Sequence, residues 1–458
     1  MKFIHTSDWH IGRQFHNVSL LDDQKHVLNQ IIQYIQTEEA DALIIAGDIY
    51  DRSVPPATAV TLLDEVLHKI CHELSTPVVM ISGNHDSAER LSFGARQLKE
   101  AGLFIFGDIN NIQEPITLTG KSGISVNFFG IPYHDPEQVR QLVQSSHSKD
   151  EEVKDDHENN RIKNHNDAHN YLVEQIKQVI DPNQHNVLLS HCFVDGAEES
   201  ESERPLSVGG ADRVSYSAML DFDYVALGHL HSPQYRGKPH VRYSGSILKY
   251  SFSEQHQKKG VTLVEFTPET ELKPSPLSTP PSTPLKEKTL QKATSDEPMT
   301  QDLFADDLFS SEASESTTID AQITEEPTSG VSITPLPLTP LRDMRVLEGE
   351  MDTLLDAGKS DPHANDYLMI RLTDTHAILD AMGKLREVYP NVLHLEKPGI
   401  MATGEKKALN REKLKRSELD MFRDFFNQVS GNSLSDDQDK ALEGIITKLH
   451  NNESGANS

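Results

Sequence analysis

Cysteine is nearly absent from this chain: Cys71 and Cys192 are the only two among 458 residues. A disulfide framework is excluded, and the usage points to a reducing, cytosolic compartment. Tryptophan is scarcer still, with Trp9 alone. No apolar run approaches the length of a membrane span. No signal peptide is expected either, because Met1–Thr6 already reads as a first core strand. No Gly-X4-Gly-Lys-Ser/Thr loop occurs, so any ATP dependence has to come from a partner. Positive charge is short as well, with 43 Lys and Arg against 71 Asp and Glu, a formal net charge of −28. Taken alone, that balance argues against a simple nucleic-acid binder. The acid is concentrated in 150–167 and in the tract from 267 to about 335, so it says little about the working surface.

What is present is an alternation of strands and helices. Lys2–Thr6, Ala42–Ala46 and Pro77–Ile81 read as strands. Between the first two, Asp22–Glu38 places Leu28, Ile31, Ile32 and Ile35 on one helical face. A second helix opens at Pro55-Pro56, with Val60, Leu63, Leu67 and Ile70 at helical spacing. This order predicts a mostly parallel, right-handed layered sheet. Later strands are expected at Leu103–Phe106, Ile124–Phe129, Val187–Ser190, Tyr224–Leu227 and Val261–Phe266, with more hairpin-like spacing in this second half. The fold class is α/β, a two-sheet sandwich flanked by helices over residues 1–266.

Residues 146–170 are polar, acidic and without period, and read as a surface insertion leading into a helix near 171–180. The stretch 267–335 is rich in Pro, Ser, Thr and acid, the composition of a disordered linker. Within it, Gln301-Asp302-Leu303-Phe304 is a candidate docking motif for a partner such as a sliding clamp; scattered apolar residues in a linker are the plainer account. Order returns over 336–400 as a small α+β domain, with strands at Tyr367–Leu372 and Val392–Leu395 and helices at Glu350–Leu355 and His376–Tyr389. The tail, 401–458, has a basic cluster from Lys406 to Arg416. Two amphipathic helices follow, one with Leu419, Phe422, Phe426 and Val429, the other with Leu442, Ile445, Ile446 and Leu449. It reads as a helical, partner-binding tail.

Metal-ligand residue types follow five strand ends. They are Asp8-Trp9-His10, Gly47-Asp48, Gly83-Asn84-His85-Asp86, His191 and Gly228-His229-Leu230-His231. A single such ending is usually a cap or loop residue. Five in one chain make coincidence a poor explanation. The run Ala42–Ala46 ends at Gly47 and Asp48, where open α/β sheets bind ligands. A carboxylate has two oxygens, so Asp48 can bridge two ions. Mixed Asp, His and Asn donors suit Mn²⁺, Fe or Zn rather than Mg²⁺ alone. A pair of ions roughly 3.5–4 Å apart clamps the attacking and leaving oxygens of a phosphoryl transfer. His5 and His134 sit in or beside strand-like runs and read as structural. Trp9 packs beside the site or stacks on a base, with packing the simpler reading.

This set of motifs resembles the calcineurin-like metallophosphoesterases, over residues 1 to about 266. More narrowly, it is similar to that family's DNA nuclease subunits. The residues behind the narrower likeness are Thr6–Arg13, Ser82–Ser87, Glu203–Gly210, Tyr243–Ser246 and Lys249–Glu254, and the likeness resumes from about Pro335 as a capping domain. The resemblance implies two divalent ions, most simply Mn²⁺. Asp8, His10, Asp48 and His231 would hold one; Asp48, Asn84, His191 and His229 would hold the other. It implies that His85 protonates the leaving oxygen, oriented by Asp51. It further implies 3′–5′ exonuclease action on duplex ends and endonuclease action on hairpins, a homodimer through the nuclease domain, and an SMC-like ATPase partner in DNA repair, recombination and replication. The expected location is the bacterial cytoplasm, at the nucleoid. Arg204 and Arg213 flank a Gly/Ser loop after His191 and are candidate DNA-backbone contacts; a solvated loop is the plain alternative. Two other functions compete: a phosphodiesterase or phosphatase on a non-DNA substrate, and a non-catalytic scaffold. The long linker and the acidic insertion depart from the family pattern.

Overall fold

Ala42–Ala46 has no polar side chain on either face and is buried along its whole length. In the computed structural model of the chain it lies inside a six-stranded sheet. The order is Val331–Pro337, Gly260–Phe266, Lys2–Thr6, Ala42–Ala46, Val78–Ile81, Leu103–Phe106. The last four run parallel. Gly260–Phe266 runs antiparallel to both its neighbours. A second six-stranded sheet has the order Gln234–Arg236, Lys238–Tyr243, Tyr224–Gly228, His185–His191, Ser125–Ile131, Ile116–Thr119. The structure describes residues 1–147, 162–203, 212–267, 330–376 and 378–397, with 423, 435, 438–442 and 444 of the tail. Among the described residues no helix is long and apolar enough to cross a membrane.

Strand alternation sorts the core into layers. Phe3, Ile44, Val79 and Ile81 meet Phe128, Val187, Leu189 and Tyr224 between the sheets. Ile4, Leu43, Ile45, Val78 and Met80 point the other way, under the helices Leu21–Thr37 and Ala57–Leu67. Val139, Val143, Leu172, Val173 and Ile176 cover the far face of the second sheet. Each such side chain contributes roughly 1.5–3 kcal/mol of burial.

Several expectations shift. The second sheet has four parallel strands at its centre, with hairpin pairings only at its edges. The helix after Pro56 buries Ala59, Leu62, Leu63 and Val66, while Val60 is 45 % exposed. Its continuation His68–Glu73 is π-helical, and Ile70 within it is buried in the core. The helix expected near 171–180 starts earlier, at His165, capped by Asn164, and buries Ala168 and His169. Residues 331–335, expected in the linker, belong to an edge strand of the first sheet, from Val331 opposite Phe266 to Pro337 opposite Gly260. An edge strand tolerates prolines that would break a central one, and this hides it in a Pro/Thr-rich composition. The helix expected from His376 to Tyr389 covers only Ala381–Arg386.

The small α+β layer pairs Met344–Gly349, Tyr367–Leu372 and Val392–Glu396 in parallel. It encloses Leu354, Leu368, Ile370, Leu385 and Val392. Asp23 of the first helix anchors it. Buried to 1 % exposure, that carboxylate takes Arg342 Nε at 3.0 Å and the Tyr367 hydroxyl at 2.9 Å.

His5 lies between the two sheets and bonds the Tyr224 hydroxyl at 2.9 Å. Burial pushes its pKa down to about 3. Its neutral form therefore stabilises the fold fully above the unfolded value near 6.5, and this contribution is lost as pH falls toward the folded value. His5→Gln removes the titration. The stability gap between wild type and variant should narrow by about 2 kcal/mol from pH 6.5 to 5, read from urea midpoints. A gap independent of pH would show that His5 is not held neutral.

Candidate active site

Parallel strands end at a common edge, and here two sheets bring their ends together. The Ala46 carbonyl accepts a hydrogen bond from His191 Nδ1 at 2.9 Å. Asp8 Oδ1 accepts the His229 N–H at 3.0 Å. This closeness explains the glycines that precede Asp48 and His229. A Cβ on Gly47, whose φ is +92°, would run into the His191 ring, and one on Gly228 would run into the Ala46 carbonyl. Asp8, His10, Asp48 and His229 hold positive φ angles of 52°, 45°, 50° and 106°. Such backbone costs roughly 1–3 kcal/mol per residue and persists only where the surroundings impose it.

The side chains form adjoining clusters. Asp8, His10 and His231 offer donor atoms within 4.8 Å of one another, as do Asp48, His191 and His229. Asp48 Oδ2 stands 3.6 Å from His10 Nε2 and 3.6 Å from His191 Nε2. Asn84 Oδ1 lies 2.9 Å from His191 Nε2 and 3.2 Å from His229 Nδ1. All seven predicted ligands are thus brought together. Burial, with crowding by the other histidines, holds His10 and His229 well below the usual imidazole range. Burial takes His191 down to about 4. These rings present neutral lone pairs. Burial and the Asp48 charge push the Asp8 carboxyl up. His10 Nε2 and His231 Nε2 face each other at 3.1 Å. Converging lone pairs beside two buried carboxylates are what divalent cations would neutralise, so the donor set fits a metal pair.

His85 lies beside this centre, its ring centroid 4.6 Å from that of His10. Its main-chain N–H donates to Asp48 Oδ1 at 2.9 Å. The expected Asp51–His85 pairing takes a different form. His85 Nδ1 donates at 2.8 Å to the Asp51 main-chain carbonyl, and the Asp51 carboxylate accepts from Arg13 Nη1 at 3.0 Å. Asp51→Asn preserves that carbonyl. Turnover should fall less than about tenfold, far short of the loss from removing an acid catalyst. A loss as large as that of His85→Ala would restore the role to the carboxylate.

Arg213 reaches Asp195 at 3.4 Å and lies over the Phe193 ring at 5.0 Å. Phe193 in turn sits 6.2 Å from the His229 ring. Arg204 lies outside the described residues. Trp9 is fully buried and donates to Thr6 Oγ1 at 3.0 Å, so it packs rather than stacks on a base. His134 is buried against the Pro132 carbonyl, as expected for a structural residue.

Sequence reasoning assigned no role to Asp86. Its carboxylate accepts main-chain N–H bonds from Ile49, Tyr50 and Gly83 at 3.0, 2.9 and 2.9 Å. It thereby staples the loop of Asp48 to the loop of Asn84. Burial, then the Asp48 charge, pushes it up to about 7. Its place at the end of Gly-Asn-His-Asp was the available signal. The surroundings of His231, namely Ser202, Glu203, Glu254 and Lys259, were likewise missed.

The chain is similar to known proteins. The profile of the family described as calcineurin-like phosphoesterase matches residues 1–233. That described as type 5 capsule protein repressor C-terminal domain matches 340–430. The SbcD subunit of the nuclease SbcCD from Staphylococcus epidermidis is 30% identical over 98% of this chain and 98% of its own. The protein of that name from Staphylococcus saprophyticus is also 30% identical, with the same coverage. A dimetal phosphatase from Danio rerio resembles 58% of this chain and 92% of its own, at 12% identity and a TM-score of 0.34. A hypothetical protein from Thermus thermophilus covers the same shares at 13% identity and a TM-score of 0.29. Matched along nearly its whole length, the chain belongs to the calcineurin-like phosphoesterases, in the branch of the SbcD proteins, and is a phosphodiester hydrolase.

Proposed function

We propose that this chain is a Mn²⁺-dependent DNA nuclease that works as a subunit beside an SbcC-type, SMC-like ATPase. The position of Asp48 carries this reading, since its carboxylate is equally distant from one histidine of each cluster. Asp8, His10, Asp48 and His231 would hold one ion; Asp48, Asn84, His191 and His229 would hold the other. Bound there, the ions supply Lewis-acid stabilisation of charge on the phosphate oxygens. The chain does the rest. Burial keeps His10, His191 and His229 neutral to serve as ligands, and Asp86 keeps the two central loops in register. Because Nδ1 of His85 donates to a carbonyl, Nε2 is the nitrogen that hands a proton to the leaving oxygen.

Arg213, stacked on Phe193 beside His229, is suited to a DNA phosphate. Phe93 and Val54, 86 % and 64 % exposed, offer an apolar face for the homodimer through the nuclease domain. Arg90 bonds the Ser53 carbonyl at 2.7 Å and so links their two segments. The relatives' name, a subunit of SbcCD, supports the ATPase partner. The candidate clamp motif at 301–304 and most of the tail lie outside the described residues.

The test uses the purified full chain, Mn²⁺ and an end-labelled hairpin duplex, with Asp48→Ala as control. Hairpin opening and 3′–5′ shortening, both lost in the variant, would support the reading. Hydrolysis of a small phosphodiester with no DNA cleavage, even after the ATPase is added, would overturn it. A wild type that hydrolyses neither substrate would point to the scaffold alternative.

A further inference from the structure

His231 is gripped at three points. Its main-chain N–H donates to Glu203 Oε1 at 2.7 Å, and its carbonyl accepts from Lys259 Nζ at 2.8 Å. Its ring nitrogen Nδ1 lies 2.6 Å from Ser202 Oγ. Behind that hydroxyl sits Glu254, fully buried. Ser202 Oγ donates to Glu254 Oε1 in a short hydrogen bond. Ser251 Oγ reaches the same oxygen at 3.2 Å. The other carboxylate oxygen takes the Tyr250 N–H at 3.2 Å and Lys259 Nζ at 2.6 Å.

Proton counting settles the tautomer. A serine hydroxyl has one proton, and that of Ser202 goes to the carboxylate. Ser202 Oγ must then accept from His231, so Nδ1 carries the hydrogen, which leaves Nε2 as the nitrogen for a metal ion. Nε2 is the atom that faces His10 Nε2 at 3.1 Å. A buried ion pair is a poor source of stability, because desolvation consumes most of its attraction. Here it lies directly behind a ligand of the catalytic centre.

We infer that Glu254, acting through Ser202 and through its own 3.4 Å contact with Nδ1, is a positioning residue for His231, setting the tautomer and ring angle with which that side chain meets its metal ion. Lys259 holds the carboxylate in place. The inference rests on the two-ion reading. The partner of a ligating histidine is commonly worth about 10–100-fold in metal affinity.

Calorimetric titration of the metal-free full chain with Mn²⁺ tests this in two double variants, with urea midpoints as the check on folding. Glu254→Leu/Lys259→Met removes the charges and the acceptor together, a replacement that cores tolerate. One ion should bind about 10–100-fold more weakly and the other as before. Glu254→Gln/Lys259→Met keeps an acceptor oxygen for Ser202, and both ions should bind within about threefold of wild type. Wild-type affinities in the Leu/Met variant, or equal weakening in both variants, would overturn the inference. A second readout needs no variant: ¹⁵N spectra of the metal-free wild type should show His231 protonated on Nδ1, and protonation on Nε2 would refute it. A wild type that binds fewer than two ions would instead refute the two-ion reading.

Discussion

Asp48→Ala should abolish Mn²⁺-dependent hydrolysis, with turnover falling by on the order of 10³-fold or more. One substitution removes three things. The carboxylate lies 3.6 Å from His10 Nε2, so the first cluster loses a donor. It lies 3.6 Å from His191 Nε2, so the second loses one too. Its other oxygen receives the His85 main-chain N–H at 2.9 Å, so the His85 loop loses an anchor. A factor of 10³ corresponds to about 4 kcal/mol of transition-state stabilisation, modest for two weakened Lewis acids together. Elemental analysis after dialysis should show less than one tightly bound Mn²⁺ per chain. A variant that retained two ions and cleaved within tenfold of wild type would show that Asp48 is not a bridge.

His85→Ala should cost about 10²–10⁴-fold in turnover while leaving metal content unchanged. The two variants therefore fail for different reasons. His85 groups with His10 and Asp51 rather than with Asp48, His191 and His229, and its Nδ1 is spent on the Asp51 carbonyl. Its value is the proton on Nε2. A DNA strand leaves as an alkoxide and needs that proton, whereas p-nitrophenolate leaves without help. The deficit should shrink to less than about tenfold on a p-nitrophenyl phosphodiester. An equal deficit on both substrates would mean that His85 binds the phosphate rather than protonating the leaving group.

The candidate ligand set was legible as a group because it is a local pattern repeated. Each apolar run ends, and within a few residues an Asp, Asn or His follows, as at Ala46-Gly47-Asp48 and Leu227-Gly228-His229. The strands that carry it were legible for the same reason, whereas Lys238–Tyr243, Ile116–Thr119 and Gln234–Arg236 were not expected. Asp51 was half legible. Its neighbourhood with His85 is real, but the carbonyl rather than the carboxylate makes the contact, and local sequence says nothing about which end of a residue turns inward. Glu254 and Ser202 were illegible. Ser202 carried no expectation and Glu254 only closed a stretch of family likeness, Lys249–Glu254, yet both side chains end behind His231. The strand Val331–Pro337 hid in a linker-like composition because its partner, Gly260–Phe266, lies across the intervening Pro/Ser/Thr tract.

The amino-acid order by itself determined which segments are buried, which helical faces are apolar, and which residue types follow the strand ends. These follow from periodicity and from the chemistry of single side chains, which operate over a few residues. Tertiary structure alone decided which ligands share a cluster, that the second sheet is parallel at its centre, and what stands behind each imidazole. His10 and His231 are 221 positions apart and meet at 3.1 Å only because two separate sheets pack face to face with their strand ends aligned. No local preference encodes that distance. It emerges from burying both sheet faces at once.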